Sequence, residues 1–114
     1  MSTENDLLKA FKKSWSIQSS SKWSLDNPAK GQCGVTSLVV NDILGGEIYK
    51  TWLDEGWHFY NILGGVRKDF TQEQFSYNLD YQDVRSSREE AFQDTNDIQY
   101  SYLKSQVHEY LGKS

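Results

Sequence analysis

One cysteine among 114 residues is the scarcity that excludes most. A single thiol can close no intramolecular disulfide and cannot supply a multi-cysteine zinc site. Histidine is nearly as rare, with only His58 and His108 to recruit, so no metal and no cofactor is expected. Basic charge is also short. Twelve Lys and Arg against sixteen Asp and Glu give a formal net charge of −4, and the basic residues are scattered, so nucleic acid is not an expected partner. No apolar run approaches the roughly 20 residues that span a bilayer. The start of the chain also lacks the basic-then-apolar pattern of a secretory signal. These absences predict no membrane partner and a cytoplasmic protein, where a free thiol stays reduced.

What remains is a single domain over 1–114, long enough for a modest core but not for two. Rings are plentiful: 14% of residues are aromatic, four of them Trp and seven Tyr, so part of the core and a pocket wall should be built from them. Leu7, Leu8, Phe11 and Trp15 recur at helical spacing and predict an amphipathic helix over 4–16, with Ser2 or Thr3 as its cap. Residues 17–31 are turn and loop formers, interrupted by Trp23, which either walls a pocket or anchors the core. Val35, Leu38, Val39 and Ile43 then predict a largely buried central helix from Cys33 to Leu44, stopped by Gly45-Gly46.

Beyond the glycines the pattern becomes strand-like. Glu47–Leu53, Trp57–Leu63 and Val66–Phe70 read as three antiparallel strands, the last two joined by a Gly64-Gly65 turn. Thr71 with Gln74, and Ser87 with Glu90, are capping-box patterns for short helices. Ile98, Tyr102, Leu103, Val107 and Leu111 predict a last helix over about 96–111, carrying His108 as an exposed histidine.

The lone cysteine stands where loop meets central helix. The first N–H groups of a helix have no intrahelical partner and carry the positive end of its dipole, which favours a thiolate and could receive the oxygen of an attacked carbonyl. Cys33 is therefore the candidate nucleophile. His58, on a strand, is its candidate base. If Gly64 and Gly65 form a two-residue turn, Leu63 faces Val66 and Tyr60 faces Asp69, which makes His58 and Asp69 diagonal neighbours on one face and turns Asn61 away. Asp69 is then the orienter, whereas a turn one residue longer would reverse the choice to Asn61. For an oxyanion, the Cys33 N–H is the first donor and Gln32 or Asn27 the second, unless Gln32 simply bonds backbone; Trp23, where it walls a pocket, is the candidate ring on the substrate side.

Gly31-Gln32-Cys33-Gly34-Val35-Thr36-Ser37, Gly45-Gly46-Glu47-Ile48, His58-Phe59-Tyr60-Asn61 and Asp69-Phe70-Thr71 with Gln74-Phe75 together resemble the YunG-like family of small bacterial proteins, over roughly residues 20–110. The order of cysteine at a helix start, histidine on a strand and acid on the next strand is also similar to the minimal core of papain-like and transglutaminase-like folds. That likeness implies Cys33 as nucleophile, His58 as base and Asp69 as orienter. The chain is much shorter than a papain-type protease, which argues against broad proteolysis.

The expectation is an α+β domain with a papain-like minimal core: a central helix on a small antiparallel sheet, covered by N- and C-terminal helices. The expected function is cysteine-dependent hydrolysis or acyl transfer at an amide or ester of a small-molecule or peptide substrate. Its competitor is a non-catalytic binding or scaffold protein that keeps this core, and a redox-responsive thiol is a third reading.

Overall fold

The computed structural model describes residues 4–112, and the cap expected at Ser2 or Thr3 lies outside them. Four α-helices surround a four-stranded antiparallel sheet in the order α1 (Glu4–Ser14), α2 (Cys33–Leu44), β1 (Glu47–Leu53), β2 (Gly56–Leu63), β3 (Val66–Lys68), β4 (Val84–Arg85), α3 (Arg88–Gln93) and α4 (Asp97–Gly112). The fold class is thus α+β. No helix among the described residues is long and apolar enough to cross a membrane.

The core has two parts, both built on α2. Leu7, Ala10 and Phe11 of α1 meet Val35, Val39 and Val40 of α2 and Leu103 and Val107 of α4, all at most 1% exposed. Burial of this kind is worth about 1.5–3 kcal/mol per large aliphatic side chain, and it outweighs the modest helix propensity of the three valines. The second cluster joins Cys33 and Leu38 of α2 to Ile48 of β1, Phe59 of β2 and Ala91 of α3. Asn61 belongs to the same sheet face: its Nδ2 donates to Ser37 O at 3.1 Å and ties β2 to the helix.

Strand order is β3-β2-β1-β4. Leu63 pairs with Val66 and Asn61 with Lys68, so Gly64-Gly65 is a two-residue turn, with φ values of 57° and 81° that glycine adopts without strain. The third strand is shorter than the sequence predicts. Asp69 leaves the ladder because its carbonyl accepts from Gln72 N–H and its Oδ1 from Thr71 N–H, which turns the chain into a 3₁₀ segment over Gln72–Gln74. Thr71 does not cap that segment; its hydroxyl donates to Asp69 Oδ1 instead. Strand β4 has no counterpart in the sequence reading. It is two residues long and paired with Tyr49 and Lys50 of β1. Ser87 does cap α3, its Oγ accepting from Glu90 N–H.

Candidate functional site

Residues 15–32 position the start of α2. Trp15 Nε1 donates to Thr36 Oγ1 at 2.9 Å and pins the end of α1 to the second turn of the central helix. Gln32, fully buried, accepts from Ser19 Oγ at 2.8 Å and donates to Ser16 O, so its amide is committed to the 16–19 turn. It does not line the cleft described below. Trp23 also lies off the cleft, packed at the margin of the α1–α2–α4 cluster with its Nε1 enclosed and without a hydrogen-bond partner among the described residues. Asn27 does line the cleft, with Nδ2 donating to Gln74 O at 3.0 Å.

His58 leaves β2 on the face away from α2. Strand side chains alternate, and its neighbours Phe59 and Asn61 are the ones that meet the helix. Its Nε2 is 2.6 Å from Asp69 Oδ2, and both side chains are at most 3% exposed. Tyr81 O–H donates to the same oxygen at 2.8 Å, while Thr71 N–H and Oγ1 donate to Oδ1. Four donors thus hold one buried carboxylate in a fixed orientation. The His58 ring lies between Tyr60, roughly parallel at 6.0 Å, and Phe75, edge-on at 4.9 Å. With Nε2 committed to Asp69, Nδ1 is the nitrogen left for the cleft. Asn61, the alternative orienter, bonds helix α2 instead.

Cys33 and His58 line one cleft of about 530 Å³, closed on the other sides by Trp57, Phe75 and Tyr77 and by the polar residues Lys22, Lys30 and Asp94. Cys33 packs with Phe59 on the helix side of β2 and His58 leaves the strand on the other face, and both line the cleft. Among the described residues, the hydrogen-bond partner of Cys33 Sγ is Asp94 Oδ2 at 3.5 Å rather than His58. The same Oδ2 accepts from Gly34 N–H at 3.1 Å. Asp94 follows α3, and although the residue as a whole is solvent-exposed, this oxygen is seated on the start of α2. The approach needs a glycine, since a Cβ on Gly34 would lie 2.5 Å from Asp94 Oδ2.

That contact reverses the electrostatics expected of a helix-start thiol. Burial first, and then the Asp94 carboxylate, push Cys33 far above the ordinary thiol range, against a pull from the Phe59 backbone N–H. Asp94 is itself raised above the usual carboxylate range, chiefly by burial, while the bonds from Cys33 and Gly34 and the charge of Lys22 act the other way. In this arrangement Cys33 is a neutral thiol. Asp94 was not among the residues singled out in the sequence. An acid ending a short helix is a common pattern, and nothing local shows which distant N–H it reaches.

His108 is exposed on α4, away from this cleft.

The family profile described as "YunG protein" matches residues 3–112. A protein of Bacillus subtilis (strain 168), "Uncharacterized protein YunG", is 54% identical over 102 residues, covering 90% of this chain and 89% of the relative. No solved structure matches the fold.

Proposed function

This chain belongs to the YunG family, and from the cleft just described we propose that it performs cysteine-dependent acyl chemistry, hydrolysis or acyl transfer, on an amide or ester of a small or peptide substrate. What carries the reading is the buried His58–Asp69 pair, 2.6 Å apart, whose imidazole lines the same cleft as the chain's one thiol. The order of thiol, imidazole and carboxylate is similar to a papain-like or transglutaminase-like core, which is the finer fold we assign on the same grounds. Such chemistry belongs in a reducing, cytoplasmic setting.

In the proposed cycle Asp94 first withdraws from the sulfur and Gly34. His58 Nδ1 takes the Cys33 proton, and the sulfur adds to the substrate carbonyl carbon, placing negative charge on its oxygen. The N–H of Gly34, released by Asp94, and that of Phe59 face this region and are the donors we assign to the oxyanion. Collapse breaks the bond to the leaving amine or alcohol, which takes the proton from His58, and a thioester remains. Water, or an amine in transfer, gives its proton to His58 and attacks the thioester, and the thiol returns with that proton. Asp69 holds the imidazole in the tautomer with Nε2–H.

The Asp94 bond to the thiol favours a second reading, in which Cys33 is structural and the cleft only binds. Acylation by p-nitrophenyl acetate separates the two, followed as p-nitrophenol release and as an acyl adduct located by mass spectrometry. The catalytic reading expects an adduct on Cys33, formed at least about 100-fold more slowly in His58→Ala, as for loss of a general base, and more slowly in Asp69→Asn. Equal rates in the parent and in both variants overturn it.

A further inference from the structure

The cleft contains a length of unpaired strand edge. In β1–β2 the residues closing the two-residue turn, Leu53 and Gly56, form a hydrogen-bonded pair. Such pairs alternate with non-bonded ones, so Thr51–His58 and Tyr49–Tyr60 are bonded, whereas Trp52–Trp57 and Lys50–Phe59 point their backbone groups away from each other. The outer side of β1 agrees with this parity, because Trp52 N–H and C=O meet the Gln82 amide and Ile48 O accepts from Ser86 N–H. On β2 the outward groups at Asn61 and Leu63 are taken by β3, which ends at Lys68. Those of Trp57 and Phe59 have no strand opposite them among the described residues, and both residues line the cleft. Phe59 N–H faces the Cys33 sulfur.

We propose that this edge binds an extended polypeptide segment as an added antiparallel strand, which makes peptide amides the substrate class of the cleft. The two outward carbonyls and the Trp57 N–H, joined by the Phe59 N–H once it leaves the sulfur, match the pairing that one extended residue and its neighbours offer, and a small organic ester or a folded surface offers no such row. From Gly56 to Phe59, the part of the strand that lines the cleft, the edge is roughly 10 Å long at about 3.3 Å per residue, room for a segment of three or four residues. A carbonyl of that segment would pass the sulfur beside Phe59. Lys22 and Lys30 line one side of the cleft and Glu55 belongs to the β1–β2 turn, so an acidic residue near the lysines and a basic one near the turn complement it. The proposal rests on the same cleft as the acyl chemistry, but strand addition itself needs no thiol.

The test therefore uses full-length Cys33→Ala protein, which can do no acyl chemistry. The probe is a blocked heptapeptide of alternating valine and threonine with one aspartate end and one lysine end, compared with the same peptide N-methylated at alternate amides. In free protein the Trp57 and Phe59 amides should exchange with solvent at least 10-fold faster than those of His58 and Tyr60. Millimolar heptapeptide should slow them at least 10-fold and the N-methylated peptide should not. Trp57→Pro, which removes an outward N–H without touching a β1–β2 bond, should abolish binding, and Trp57→Ala, which keeps the N–H, should retain it. Slow exchange of both amides in free protein, equal binding of the N-methylated peptide, or no effect of the heptapeptide overturns the proposal. Peptide binding together with failed acylation of the parent would sink the acyl reading alone, and acylation without peptide binding would sink this one alone.

Discussion

If the Asp94 carboxylate restrains the thiol, neutralising it should quicken Cys33. Asp94→Asn keeps an oxygen that can accept from Gly34 N–H and removes the charge 3.5 Å from the sulfur. Two unit charges at that separation interact by about 5 kcal/mol at an effective dielectric of 20 and about 1 kcal/mol in water. Asp94 is open to solvent as a residue, so about 2 kcal/mol is the better figure, or roughly 1.5 pKa units. The thiolate fraction at neutral pH then rises about 30-fold. Intrinsic nucleophilicity falls by about half a logarithm per unit of pKa, which leaves a net gain of roughly 5-fold in alkylation rate. The assay is iodoacetamide labelling of Cys33 from pH 6 to 10, in parent and variant of matched thermal stability. The rate should be higher in the variant at every pH of this range, which lies below the parent's titration. Equal rates throughout would refute the claim that Asp94 charge holds the thiol neutral, and a slower variant would mean that the carboxylate accepts the thiol proton and assists it.

The same residue gives a pH signature in stability. A carboxyl raised by burial binds its proton more tightly folded than unfolded. Its contribution is therefore greatest below the ordinary value near 3.8 and is lost as pH rises through the raised one. The melting temperature of the parent minus that of Asp94→Asn should accordingly fall from pH 3.5 upward and then level off; a difference that rises with pH contradicts this. Tyr81→Phe removes one of the donors to Asp69, at 2.8 Å, and urea unfolding should show a loss of about 1.5–3 kcal/mol, as for a hydrogen bond to a charged group. Ser87→Ala deletes the cap of α3 and should cost about 1 kcal/mol in the same assay. Gly46→Ala puts a Cβ 2.4 Å from Ile62 O at φ +74° and should cost roughly 2 kcal/mol, whereas Gly64→Ala, with φ +57° and open space around it, should cost less.

What could be read from the sequence was local or arithmetic. The start of α2 at Cys33 and its end at Leu44 follow from a loop-to-apolar transition and a glycine pair, and both lie where the spacing puts them. The pairing of Leu63 with Val66 follows from a two-residue glycine turn. Since strand faces have a period of two, that register carried Asp69 to the His58 side and Asn61 to the helix side. What could not be read depended on partners far along the chain. Strand β4 is two residues of no alternating pattern, held because Gln82 and Ser86 bond the outer edge of β1. Gln32 could not be turned inward or outward before the 16–19 turn was known to offer it both a donor and an acceptor.

Asp94 is the sharpest case, because it reaches back 60 residues to an N–H that local reasoning had left free. An uncapped helix start would favour an acidic thiol. Here the same positive end that favours a thiolate also attracts a carboxylate, and the chain supplies one of its own. A helix start beside a nucleophile is thus a site two anions compete for. The lack of a Cβ at Gly34 lets the internal one win at rest. Gly34→Ala should consequently act like Asp94→Asn on the thiol while leaving the charge in the chain, so faster labelling in both variants would assign the restraint to a carboxylate charge held at the sulfur.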